Sequence, residues 1–160
     1  MRIKPVEVQI GEILLDKKLT LATAESCTGG LIGHMLTNVP GSSDYYLGGV
    51  IAYANRVKHN QLGVHLESLA RFGAVSQEVV LEMSRGARQA LRADIGLAVS
   101  GIAGPGGGSL EKPVGYTWIG LSDANGELSW NYIWTGSRRE IKRLTAVQAL
   151  HLLLDHLMTK

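Results

Sequence analysis

Cysteine is nearly absent from this 160-residue chain. Cys27 stands alone, which excludes an internal disulfide and any metal site built from several thiolates. A reducing, cytoplasmic setting is the matching expectation. Aromatic residues are scarce at 6%, and charged residues reach only 19%, below the usual quarter or so. The formal net charge is +2 and no block of Lys and Arg stands out, so no nucleic-acid partner is expected. No apolar run approaches the roughly 20 residues of a membrane-spanning helix. The N-terminal "MRIKPVEVQIGEILLDKK" is charged along its length and lacks the apolar centre of a signal peptide. His151 and His156 would point about 140° apart on a helix, and no H-E-x-x-H or comparable ligand spacing occurs. The expectation is a soluble protein with no membrane partner, no metal and no cofactor.

What the chain does have is apolar residues, at 45%, and an excess of glycine, 20 in all. A chain of this length can bury roughly 68–70% of its unfolded surface, so one domain over 1–160 is expected. Val6, Ile10, Ile13 and Leu14 recur at helical intervals, and "LTLATA" after them reads as a buried strand. A helix from Thr28 to about Asn38 ends at the turn-forming "PGSSD". "YYLGGVIAYA" reads as a second strand, followed by a short helix with Asn55 as its candidate N-cap. Ser76 is a candidate cap for "QEVVLEMSRGARQALR", and "ADIGLAVSG" is a third strand. "VGYTWIGLSD" and "ELSWNYIWTG" flank the hairpin signal "DANG", and a helix closes the chain from about Arg138 to Leu157. Helices alternating with strands predict an α/β fold, a three-layer α/β/α sandwich around a mixed sheet. Sites in such folds gather at strand ends.

Five stretches carry chemistry-bearing residues. In "AESCTGG", Ser26, Thr28, Gly29 and Gly30 sit at a strand-to-helix junction. The plain reading is a helix cap with close packing; the functional one is a helix N-terminus whose N–H groups bind phosphate or an oxyanion. In "PGSSDYY", Ser43 is by default a solvated turn residue, since a free hydroxyl needs activation to be a nucleophile. "YANRVK" puts Lys58 in the first turn of a helix, where the macrodipole disfavours an ammonium and lowers its pKa toward that of a useful base. Tyr53 could lie beside it, and the bland alternative is a snorkelling surface lysine. "SGIAGPGGG" follows a strand without the order of a Walker A or dinucleotide loop, yet offers backbone N–H groups to an anion, or is a flexible connector. Of the basic residues in "GSRREIKR", most would be solvated, and one arginine turned inward could grip a phosphate.

Taken in order, "AESCTGG", "PGSSDYY", "YANRVK", "GAVS", "SGIAGPGGG" and "KPVG" closely resemble the C-terminal domain of the competence/damage-inducible CinA family. The resemblance runs from about Leu21 to the last helix and suggests a form standing without the family's additional N-terminal domain. It implies a CinA C-terminal-domain-like fold and hydrolysis of the carboxamide of nicotinamide mononucleotide, giving nicotinate mononucleotide and ammonia. Carried over by position, it marks Ser26, Ser43, Tyr53 and Lys58 as catalytic. Ser100 and Arg138, with Arg139 second to it, are marked as important for substrate, and the N–H groups of the two glycine-bearing turns add Thr28, Gly29, Gly30, Gly101 and Gly104 as candidate substrate-binding positions. The family often has Thr where Ser100 stands, which keeps the hydroxyl. The implied mechanism is a serine–lysine pair with Ser43 favoured as nucleophile, because a turn before the second strand could face Lys58; Ser26 remains the alternative. A homo-oligomer is expected from the apolar hairpin. A non-catalytic nucleotide-binding or interaction module linked to competence or DNA damage is the competing reading.

Overall fold

The computed structural model describes residues 3–160. Five strands form one sheet in the order β2-β1-β3-β4-β5. The first three in that order, the edge strand β2 (Tyr46–Ile51), β1 (Leu21–Glu25) and β3 (Ile95–Gly101), are parallel. On the far side, β4 (Tyr116–Asp123) and β5 (Gly126–Ile133) are an antiparallel hairpin closed at Asp123↔Gly126, where "DANG" predicted it.

β1 is buried along its whole length and Ile95–Ser100 likewise, which is why both read as continuous apolar runs rather than alternating ones. Their side chains divide between two cores. Leu21, Ile95, Leu97, Val99, Ile119 and Leu121 meet one set of helices, α1 (Val6–Lys17), α2 (Leu31–Thr37) and α6 (Arg138–Met158). Ala22, Ala24 and Ala98 meet the other, α3 (Asn55–Leu62), α4 (Leu66–Phe72) and α5 (Gln77–Ala90). The small residues on that second face let α5 lie close, with Val79, Val80, Met83 and Ala87 as its buried stripe. The expected mixed-sheet, three-layer sandwich is the one observed.

Local capping explains most helix boundaries. Ser76 accepts a hydrogen bond from the N–H of Val79, as its position predicted. Ser137 and Glu140 form a reciprocal capping box that starts α6. The cap of α3 lies one residue earlier than predicted, at Ala54, so Asn55 is already helical and Lys58 occupies the fourth position. Helix α4, seven residues long, was not anticipated.

The C-terminal end of α6 is fastened to the hairpin by Asp123. His156 Nε2 lies 2.7 Å from the Asp123 carboxylate, and Lys160 donates to the same oxygen. Burial pulls this carboxyl upward, but the Lys160 ammonium, the N–H of Asn125 and His156 outweigh it and bring the pKa down to about 2. A depressed carboxyl stabilises the fold above its unfolded value of about 4. That contribution fades as pH falls toward 2. Asp123→Asn is therefore expected to lower the melting temperature at pH 7 and to converge with the parent near pH 2; thermal unfolding across that range checks it.

Candidate active site

The parallel strands bring three segments to one end of the sheet, the end where strands point their carboxyl termini. Ser26 follows β1, Tyr53 follows β2, and Ser100 lies in the last turn of β3. Together with Cys27, Asn55, Lys58, Ala74, Val75, Gly101, Ala103 and Arg138 they line a cleft of about 210 Å³. Drug-sized ligand pockets run to roughly 300–1,000 Å³, so this one suits a single ring, with any remainder of the ligand leaving through the open side.

Lys58 is the unusual group. It is only 1% exposed, among the largest fully buried side chains described. Its Nζ lies 3.1 Å from Ser26 Oγ, 2.8 Å from the carbonyl oxygen of Ala52 and 3.3 Å from that of Tyr53. Its pKa falls below the ordinary lysine value because burial strips water from the ammonium. No carboxylate forms an ion pair with it among the described residues. An amine with two carbonyls and one hydroxyl around it is suited to both protonation states. As an ammonium it donates to all three. As a neutral amine it keeps two N–H donors for the carbonyls and turns its lone pair to the Ser26 hydroxyl.

Ser43 does not share this setting. It lies in a 3₁₀ turn, Ser42–Asp44, immediately before β2, whereas Lys58 comes after β2. The six residues of β2, at about 3.3 Å each, put roughly 20 Å of strand between the two ends of the sheet. The expectation that Ser43 faces Lys58 is corrected on that ground. Ser43 is exposed at the far end.

Thr28, Gly29 and Gly30 are placed differently from expectation as well. Glu25, only 3% exposed, occupies the helix N-terminus that a phosphate was expected to use. Its Oε1 accepts from the Thr28 hydroxyl (2.6 Å) and the N–H of Ile32 (2.9 Å), and its Oε2 accepts from the N–H of Gly33 (3.0 Å). Thr28 thus spends its proton on a carboxylate and not on a ligand. Gly30, at φ +104°, is the backbone corner from which α2 starts. None of the three is among the residues lining the cleft.

The remaining expected residues sort by contact. Ser100 is 1% exposed and donates to the carbonyl of Ala74 (2.7 Å), so its oxygen lone pairs are what it can offer a ligand. Gly101 is required by packing, since a Cβ there would run into Thr117 and approach Cys27 Sγ to 3.1 Å. Gly104 stands outside the lining; its carbonyl accepts from Arg138 Nη1 (2.6 Å). Arg138 Nη2 donates to the Tyr53 hydroxyl (3.0 Å), leaving three of its five N–H groups free to grip an anion at the cleft. Arg139, one residue on along α6, is exposed and turned about 100° away. Cys27 is buried and its thiol is pushed up to about 12, mainly by burial, in keeping with the packed small residue expected. Glu25, Asn55 and the Ala74–Val75 wall went unassigned from sequence; "GAVS" marked the wall's position without its role.

The structure thus sets a buried amine against a serine hydroxyl at the carboxyl ends of parallel strands in a three-layer α/β/α sandwich. The model of the CinA C-terminal domain matches residues 3–157, and the chain belongs to that family. A putative competence-damage inducible protein of Moorella thermoacetica is 52% identical over 149 residues, covering 92% of this chain and 36% of its own length. The chain thus spans about a third of such relatives. Among solved structures, a CinA superfamily protein from Klebsiella pneumoniae superposes with a TM-score of 0.93 at 31% identity, covering 97% of both chains. A competence/damage inducible protein from Agrobacterium tumefaciens gives 0.89 at 41% identity, over 97% of this chain and 98% of its own.

Proposed function

We propose that this domain hydrolyses the carboxamide of nicotinamide mononucleotide, with Ser26 as nucleophile and neutral Lys58 as general base. The observation that carries the reading is the 3.1 Å contact between Lys58 Nζ and Ser26 Oγ in a cleft that keeps the amine out of water. Deprotonated Lys58 takes the hydroxyl proton as Ser26 attacks the carboxamide carbon. Oxyanion stabilisation falls to backbone N–H groups of the turn after Ser26, a location that serves nucleophiles at strand–helix junctions elsewhere. The Lys58 ammonium then returns its proton to the departing ammonia, leaving an acyl-serine. Water, deprotonated in its turn by Lys58, releases the nicotinate product. Tyr53 and Arg138 form the mouth, where the ribose phosphate would leave the pocket.

The test is direct. Purified protein given nicotinamide mononucleotide is expected to release ammonia and nicotinate mononucleotide in equal amounts, unaffected by a chelator. Absence of turnover on this substrate would overturn the assignment.

A further inference from the structure

Of the helix N-termini near the cleft, those of α2 and α6 are already closed by the protein itself, whereas α3 begins at Asn55 on the cleft wall behind Ala54, which makes no side-chain cap. Glu25 fills that of α2. Ser137 and Glu140 fill that of α6, with the N–H of Ser137 donating to Glu140 Oε2 at 2.6 Å. On the α6 side of the mouth an anionic group therefore has to be met by side chains. Arg138 is one. The residue four further along the same helix is Lys142, and i, i+4 positions share a face.

Lys142 is half-buried. Its Nζ comes within 3.7 Å of the position a Cβ would take on Gly29, in the turn after Ser26. Its charge also bears on Cys27, which lines the cleft. Among the described residues it forms no ion pair, unlike Lys4, Arg85 and Lys160. Glu25, the buried carboxylate of the same strand-to-helix turn, already accepts from Thr28, Ile32 and Gly33. Gly29 itself is held at φ +60°, a conformation that favours glycine, which keeps the backbone of this turn bare beside the ammonium.

We infer that Lys142 is the second phosphate-binding cation of the site, paired with Arg138 across one face of α6, and that it makes the domain selective for a phosphorylated nucleotide over the free nucleoside. The inference rests on the mononucleotide reading of the same cleft. Arg138 supplies a planar fork already oriented by Gly104 and Tyr53. Lys142 supplies a point charge on a flexible stem. Together they balance the two negative charges of a phosphate monoester. Arg139, which a reading of sequence alone placed next in line, has no part in it.

The experiment compares Lys142→Ala, Lys142→Arg and Arg139→Ala with the parent, on nicotinamide mononucleotide and on nicotinamide riboside. Binding of ribose 5-phosphate is measured alongside by calorimetry. Lys142→Ala is expected to raise KM for the mononucleotide about tenfold or more. Its kcat should stay within about twofold, its riboside kinetics should not change, and ribose 5-phosphate affinity should fall by a similar factor. Lys142→Arg should restore most of the affinity, and Arg139→Ala should behave as the parent. Equal losses on both substrates, an unaltered KM, or ribose 5-phosphate binding indifferent to Lys142 would each overturn the inference. So would failure of the parent to bind ribose 5-phosphate. Lys142-dependent binding of ribose 5-phosphate without ammonia release would sink the deamidase reading and leave the phosphate site standing.

Discussion

Lys58→Met is expected to lower kcat by at least about a thousandfold, the scale seen when one member of a cooperating catalytic unit is lost. Methionine roughly matches the length and volume of the lysine stem in its buried slot, so the fold should survive and circular dichroism should be unchanged. Ser26→Ala is expected to match that loss, and the double variant should be no worse than either single one, because the pair acts as a unit. Ser43→Ala, at the far end of β2, should retain parental turnover. The pH dependence gives a second check. Only the neutral amine can take the serine proton, so kcat/KM should rise with pH through the lowered pKa of Lys58. That limb should sit below the ordinary lysine value. If Lys58→Met kept near-parental turnover, or if the limb lay near pH 10, the amine would not be the base.

The second large effect is on stability, and it comes from Glu25. Truncation to alanine leaves the N–H groups of Ile32 and Gly33 and the hydroxyl of Thr28 without their acceptor in a nearly closed interior. Orphaned buried donors cost about 1–3 kcal/mol each when water cannot reach them. Partial relaxation at the frayable start of α2 makes about 2–4 kcal/mol the expected total. For a domain of this size that corresponds to a fall in Tm of roughly 5–15 °C. Glu25→Gln should fall between the two, since one amide oxygen can still accept while its NH2 meets an N–H. Thermal unfolding of the three proteins decides the matter. A Glu25→Ala variant as stable as the parent would mean the carboxylate is not holding the turn that carries Ser26.

Much of the architecture was readable because burial is strongly periodic. The parallel strands at Leu21–Glu25 and Ile95–Gly101 are mostly apolar and buried nearly throughout, and Val79, Val80, Met83 and Ala87 fall on one helical face. "DANG" named the hairpin outright. Helix α4 was missed because Leu66–Phe72 amounts to two turns, too short for a 3.6-residue period to declare itself. The shift at α3 has a similar cause: Asn55 is a good cap by type, yet Ala54 takes the extended conformation and the position.

Within the site, Lys58 could be singled out because a lysine in the first turn of a helix is electrostatically misplaced on a surface. Ser43 shows what local reasoning omits. A residue before a strand and a residue after it belong to opposite ends of the sheet, and only topology says so. Glu25 shows the converse. Its neighbours "SCTGG" looked like an anion cradle, and the cradle exists, but the anion in it is the chain's own. The donors of this buried carboxylate's backbone bonds, Ile32 and Gly33, lie seven and eight residues downstream, beyond any short motif. Arg138 was chosen over Arg139 from position, and the helix geometry separates them by face.

Ser26 and Cys27 are consecutive, and each carries an atom able to attack a carbonyl. Burial gives them opposite fates: the hydroxyl has the Lys58 amine at 3.1 Å, while the sulfur keeps its proton up to about pH 12. Electrophiles that seek thiolates should therefore pass this pocket by at physiological pH, and those that trap activated alcohols should not. A label that marks the domain through its serine would report on the living reaction centre without interference from the sulfur next door.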